Sequence, residues 1–217
     1  MIELEQLGPI WVMHLRSGEN RFNDEFVDEL NGALDRVEAS GLPTALVTTG
    51  EGKFYSNGLD LDWLGSAANP GAFIDRVHRL LVRTLTFPAL TVAAVNGHAF
   101  AAGAMFATAH DFVVMRSDRG YWCLPEVDLG IPLTPIMYAV VASRLPRFTL
   151  HEALTTGKRY DADEAVLAHI ADESAPESEV LDRAIVRATG LAGKGPVVMD
   201  HKRLLYSDVL ALAQASG

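Results

Sequence analysis

Two glycine-rich turns and one glutamate offer the most chemistry in this chain. The turns span residues 50–59 and 96–104. Each follows a short apolar run and leads into a helical pattern. Turns of this kind are common after strands, and most serve geometry alone. Known phosphate loops can be tested against them. A P-loop would need glycine at 47 and Ser or Thr at 54, but Val47 and Phe54 stand there, so Gly52-Lys53 does not make one. A dinucleotide fingerprint starting at Gly50 and Gly52 would need glycine at 55, where the residue is Tyr55. A nucleophile elbow around Ser56 would need glycine at 54 and fails as well. Backbone chemistry survives these tests. Two turns that each lead a helix can each aim one free N–H into a shared cavity. Two such donors make an oxyanion hole. Glu126 lies in a polar loop further along. By itself it reads as a solvated surface acid; beside an oxyanion hole it reads as an acid/base catalyst.

The elements that must position these groups follow from periodicity. Residues 10–15 read as a strand. Residues 23–39 read as a helix capped by Asn23, with Asp24 and Glu25 in its first turn and Phe26, Leu30, Leu34 and Val37 on one face. Gly41 and Pro43 stop it. The runs 44–49 and 91–95 are short and apolar, as buried strands are. A helix is expected over 70–86, with Phe73, Val77, Leu80, Leu81 and Leu85 as its stripe, and another over 101–109. Residues 112–115 read as a strand. From Leu133 the pattern is mostly helical, broken near Pro146, Gly157 and the acidic stretch 172–179, and ends in one helix over 196–215. Strands alternating with helices predict an α/β fold with a mostly parallel sheet. Ligands of such sheets sit beyond the carboxyl ends of the strands, where both glycine-rich turns lie.

Three segments carry a family resemblance. Phe54-Tyr55-Ser56-Asn57-Gly58-Leu59-Asp60-Leu61 resembles the first oxyanion turn of the crotonase (enoyl-CoA hydratase/isomerase) superfamily. Asn96-Gly97-His98-Ala99-Phe100-Ala101-Ala102-Gly103 resembles its second, and Leu124-Pro125-Glu126-Val127-Asp128-Leu129-Gly130 its acid/base loop. They occur in the family's order and roughly its spacing, and the resemblance spans about residues 1–200. The wording of 52–61 and Ser117-Asp118-Arg119-Gly120 is most similar to the plant-type 3,2-enoyl-CoA isomerases.

The resemblance implies a ββα superhelix with a mostly parallel sheet and a helical C-terminal region. Residues 1–190 would form the acyl-CoA-binding core, and 191–217 a short segment for packing or trimer contacts. It implies a thioester oxygen held by the N–H groups of Leu59 and Ala102, with Glu126 as the acid/base. Arg21, before the first long helix, and Lys53, beside the first turn, would meet coenzyme A. Gly58, Asp60, Leu61 and Gly103 complete the implied substrate-binding set. No metal and no separate cofactor are implied, since coenzyme A is part of the substrate.

Hydratases of the family carry a second glutamate two residues past the last glycine of the second turn; here that residue is Met105. Water addition should then be slow, and a proton shuttle from C2 to C4 of a 3-enoyl-CoA is the expected reaction. The alternatives are a weak hydratase, a hydrolase, a decarboxylase, or a non-catalytic acyl-CoA-binding subunit. A homotrimer or dimer of trimers is implied, although the family's extra C-terminal helices do not follow here.

Composition narrows the partners. Of 217 residues, 49% are hydrophobic and 21% charged, which is globular usage rather than disorder. A net charge of −10 argues against nucleic acid or an anionic membrane as partner. One cysteine, Cys123, allows no internal disulfide and reads as packing. His98 and His110 read as structural, Asp111 as a partner for backbone, and Trp63 as core. The start shows no signal peptide, no run is long enough to span a bilayer, and Ala-Ser-Gly at the end is no peroxisomal address, so a cytoplasmic location is expected.

Overall fold

The computed structural model describes residues 1–41, 44–194 and 197–215. Pro43 and Pro196, expected to bound helices, lie outside the described residues. The chain opens with β1 (Ile2–Leu7), β2 (Ile10–Leu15), α1 (Asp24–Ala39), β3 (Ala45–Thr49), β4 (Phe54–Ser56), α2 (Leu61–Ser66) and α3 (Pro70–Leu85). There follow β5 (Leu90–Val95), β6 (His98–Phe100), α4 (Ala102–Thr108), β7 (Phe112–Arg116), β8 (Trp122–Cys123) and α5 (Glu126–Leu129). The last third holds α6 (Pro135–Ala142), α7 (Arg147–Thr156), α8 (Ala162–Leu167), β9 (Glu173–Ala175), α9 (Glu177–Leu191), α10 (Val197–Leu205) and α11 (Ser207–Ala215).

Two sheets form. The larger runs in the order β1-β2-β3-β5-β7-β9, parallel except for the β1–β2 hairpin; the smaller is β4-β6-β8, all parallel. Three times in succession the chain makes a strand in the large sheet, a strand in the small sheet, then helix. This is the expected ββα superhelix. The short strands escape sequence reading because two or three residues hold no period. β1 escapes because its exposed, acid-containing sequence looks like a polar terminus. The burial of β3 at every position confirms a central parallel strand.

The helices follow their caps. Asn23 accepts from the Phe26 N–H, as expected, and Asn69 and Asp60 cap α3 and α2 in the same way. The stripe of α3 is buried against the main core. A second core lies on the other face of the large sheet, where Val180, Ala184 and Ala188 of α9 meet Val12, Val47 and Val92.

The C-terminal segment differs from the expected single helix. It breaks at Tyr206, which is buried with its hydroxyl accepting from Arg144 at 3.1 Å. The inward face is Lys202, Tyr206 and Val209, whereas Val197, Leu204 and Leu205 point outward. A buried lysine on an apolar-looking helix is invisible to periodicity. The Lys202 ammonium donates to the carbonyls of Phe87 (3.0 Å) and Ala89 (2.9 Å) and pairs with Asp111 at 2.6 Å. Asp111 in turn accepts from the Thr91 N–H at 2.7 Å, the backbone role expected of it. Burial holds the Lys202 pKa below the usual lysine range, against the pull of Asp111.

Lys202→Ala should therefore destabilise the fold by about 3–5 kcal/mol, because it strands the Asp111 carboxylate and two carbonyls. Chemical denaturation checks this; a loss under about 1 kcal/mol would mean that the C-terminal helices are held by apolar packing alone.

Candidate active site

The first turn is fixed by backbone pairing. Phe22 makes a parallel bridge with Leu59: the Phe22 N–H donates to the Gly58 carbonyl at 2.8 Å, and the Asp60 N–H donates to the Phe22 carbonyl at 3.0 Å. In that pattern the N–H of Leu59 itself points away from Phe22. Asn20 holds the arrangement from below. It is fully buried at φ 51, donates to the carbonyls of Leu15 (3.1 Å) and Tyr55 (3.0 Å), and accepts from the Ser17 N–H. The sequence reading assigned Asn20 and Phe22 no role. An asparagine in a turn before a helix was the only signal, and its partner lies 35 positions away.

The second turn closes on the first. A Cβ on Gly103 would lie 2.7 Å from the Cβ of Ser56, and one on Gly58 would lie 2.8 Å from the Phe100 carbonyl oxygen. Only glycine permits this approach. Ala101, before α4, sits at φ 49 and ψ −124, an uncommon conformation for a residue with a side chain. It starts the helix so that the N–H of Ala102 is left without an intrahelical acceptor. Among the described residues, no acceptor pairs with the N–H of Leu59 or of Ala102.

Both turns open on one cavity of about 410 Å³. Leu59, Ala102 and Glu126 line it together, with Arg21, Leu61 and Met137. Glu126 is the first residue of α5. It also lines a second, mostly apolar cavity of about 600 Å³, with Leu133, Thr134 and Tyr138. Its Oε2 is buried without a hydrogen-bond partner. Burial pushes the Glu126 carboxyl above the usual range, offset in part by its own backbone N–H.

The other expected residues divide. Arg21 is at the cavity, paired with Glu19 at 2.7 Å, which also accepts from the Asn57 amide at 2.8 Å. Gly58 and Gly103 act through shape. Asp60 caps α2 by accepting from the Trp63 N–H, so it braces the turn rather than lining the cavity. Lys53 is exposed and does not line the cavity; its ammonium lies 5.2 Å from the Phe54 ring centre, at the opposite end of β4 from Leu59. Trp63 packs edge-on against Phe73 at 4.6 Å.

His110 is fully buried between Thr48 and the Phe106 carbonyl, and burial lowers its pKa to about 4, so it is neutral and structural. His98 lies among Phe54, Phe100 and Tyr121. Cys123 donates to the Gly157 carbonyl, and burial pushes its thiol up to about 11, which removes it as a nucleophile near neutral pH. Met105 is buried in α4, so no carboxylate stands at its position.

Gly103→Ala should force the turns apart, lowering the melting temperature and the affinity for any thioester-bearing ligand at least about tenfold, as calorimetry would show. For Glu126 the sign is definite. Its folded pKa is raised, so its contribution to stability is fully present below the unfolded pKa of about 4.3 and is lost as pH rises through the folded value. Glu126→Gln should therefore raise the melting temperature at pH 7 by about 2–4 °C, with the gain vanishing below about pH 4. A stability profile that does not change with pH between the two proteins would contradict the buried, unpartnered carboxylate.

Residues 7–209 match the family model described as enoyl-CoA hydratase/isomerase. The chain is 35% identical to enoyl-CoA delta isomerase 3 of Arabidopsis thaliana, over 100% of this chain and 97% of that protein. The solved structure of an enoyl-CoA hydratase from Mycobacterium ulcerans superposes with a TM-score of 0.91 at 26% identity, covering 99% of this chain and 95% of that one. Human mitochondrial delta3-delta2-enoyl-CoA isomerase shares the fold, with a TM-score of 0.90 at 20% identity over 99% of this chain and 86% of its own. With the superhelix, the two apposed turns and the glutamate loop all present, the chain belongs to the enoyl-CoA hydratase/isomerase family.

Proposed function

We propose that this protein is an enoyl-CoA isomerase that moves the double bond of a 3-enoyl-CoA to the 2-position. The observation that carries the reading is Glu126, half-buried with one carboxylate oxygen buried and unbonded, sharing one cavity with two unpaired N–H groups and the exposed Asp62, while the hydratase glutamate position holds Met105. Kinship with the plant delta isomerase supports the same choice.

In this mechanism the N–H groups of Leu59 and Ala102 hold the thioester oxygen. Glu126 removes a proton from C2, and the electrons move onto the carbonyl oxygen as an enolate. The protonated Glu126 then delivers the proton to C4 as the double bond settles between C2 and C3. One donor of such a hole is worth about 10²–10³ in rate, and a positioned acid/base about 10²–10⁴. The raised pKa of Glu126 suits it to both halves of the shuttle, since it must accept a proton and then give it back.

Arg21 would hold a coenzyme A phosphate at the cavity mouth. Its partner Glu19 has its pKa held below the usual carboxylate range by Asn57 and Arg21, so one acid offsets the arginine before substrate arrives. Among the described residues, no helix is long and apolar enough to cross a membrane. A cytoplasmic homotrimer or dimer of trimers in fatty acid metabolism, needing no cofactor beyond the coenzyme A of its substrate, completes the proposal.

The test is direct. Purified protein given 3-hexenoyl-CoA should form conjugated 2-hexenoyl-CoA without an added hydratase, and Glu126→Gln should lower the rate by about 10² or more. Inert wild-type protein that still binds acyl-CoA, across several chain lengths, would reject the isomerase in favour of another thioester reaction or a binding role.

A further inference from the structure

The two cavities that meet at Glu126 are divided by one segment of chain. Ile131, Pro132 and Leu133 line both. At one end this segment is tied to the catalytic residue: the Ile131 N–H donates to the Glu126 carbonyl at 3.0 Å. In between, Pro132 has no N–H to give, and those of Leu133 and Thr134 find no acceptor among the described residues. The other end is held by Thr134. Its hydroxyl oxygen caps α6 by accepting from the Met137 N–H at 3.3 Å and lies 2.8 Å from Nε2 of His78 on α3.

His78 is buried, and its Nδ1 lies 3.6 Å from the exposed Asp75 carboxylate one helical turn earlier. Burial is the stronger influence and keeps the ring neutral, against the pull of Asp75. The carboxylate favours the proton on Nδ1, which leaves Nε2 to accept the Thr134 hydroxyl proton. Thr134 itself lines the second cavity, opposite the end pinned at Glu126.

We propose that His78, through its hydrogen bond to Thr134, is a positioning residue that fixes the partition 131–134 and thereby sets which acyl-chain lengths the protein accepts. The proposal rests on the acyl-CoA reading of the same site. The first cavity carries the oxyanion turns, and the second, also mostly apolar, lies past Glu126 where the acyl chain beyond the reacting carbons would run. Among the described residues, hydrogen bonds hold the wall at its two ends: Ile131 to the Glu126 carbonyl, and Thr134 both to His78 on α3 and, through its carbonyl, which accepts from the Tyr138 N–H at 3.0 Å, to α6. Losing the His78 contact leaves the Thr134 end tied to α6 but not to α3, so that end of the wall can shift against α3 while the Glu126 point and the oxyanion turns stay in place. Chain-length preference should then change more than the chemistry does.

The experiment compares wild type, Thr134→Val, Thr134→Ser and His78→Gln. The substrates are 3-hexenoyl-CoA and 3-dodecenoyl-CoA for turnover, and hexanoyl-CoA and dodecanoyl-CoA for calorimetric binding. Thr134→Val keeps the side-chain shape and removes the hydroxyl; Thr134→Ser restores it. The long-to-short ratio of kcat/KM is expected to change by about fivefold to tenfold in Thr134→Val, chiefly through KM, the scale set by one hydrogen bond to a buried group. The serine variant should keep the wild-type ratio, and His78→Gln, which reports the same contact if the valine variant does not fold, should shift it as the valine does. The binding ratio should follow in the same direction. A uniform fall for both chain lengths, or a ratio unchanged in Thr134→Val and His78→Gln, overturns the proposal. Wild-type protein that binds both ligands without turning over either enoyl-CoA would instead remove the isomerase reading, and the binding ratios would still decide the role of His78.

Discussion

Main-chain donors cannot be aimed by choosing a side chain; they go where the backbone goes. The site therefore depends on how closely two turns from different ββα units can approach. Gly103 lies against Ser56 and Gly58 against the Phe100 carbonyl, at separations where a single methyl group would clash. The parallel pairing of β4 with β6, Phe54 opposite His98 and Ser56 opposite Ala99, brings the turns to the same end of the small sheet. Asn96 reinforces it from the first turn's other side, accepting from the Gly50 N–H at 2.8 Å and donating to the Gly52 carbonyl at 3.3 Å. Gly97 and Gly120 pack in the same manner one layer further, a Cβ on Gly120 falling 2.6 Å from the Gly97 carbonyl carbon. The small sheet is thus a stack of close backbone contacts that brings Leu59 and Ala102 to one cavity.

Against this background the treatment of buried polar groups is informative. Asn20, His110 and Lys202 are buried and bonded to named partners. Each holds together segments distant in sequence: Asn20 joins β2 to β4, His110 joins α4 to β3, and Lys202 joins the C-terminal helices to the loop before β5. Glu126 is different. One of its oxygens is buried with nothing to bond. A buried polar group left unpaired in this way costs about 1–3 kcal/mol or more, as does the His98 Nδ1, which is buried without a hydrogen bond too.

The sequence by itself determined the local elements and the family. The caps Asn23 and Asp60, the stripe of α3, the buried strand β3 and the two glycine-rich turns all follow from residue type and spacing within about 15 positions, where propensity and periodicity act. The family resemblance named Leu59, Ala102 and Glu126, and the fold gathers them at one cavity. Lys53 was not brought there, because a residue beside a turn in sequence can lie at the far end of the strand that leads to it. Tertiary structure alone decided the strands β4, β6 and β8, which exist only because each finds a neighbour. It also decided the buried face of α10, where a lysine rather than a leucine points inward because a carboxylate and two carbonyls await it. The contact of His78 with Thr134, 56 positions apart, belongs to the same class. Long-range pairing carries no local signal: whether a polar side chain is solvated or buried against a partner depends on what the rest of the chain places beside it.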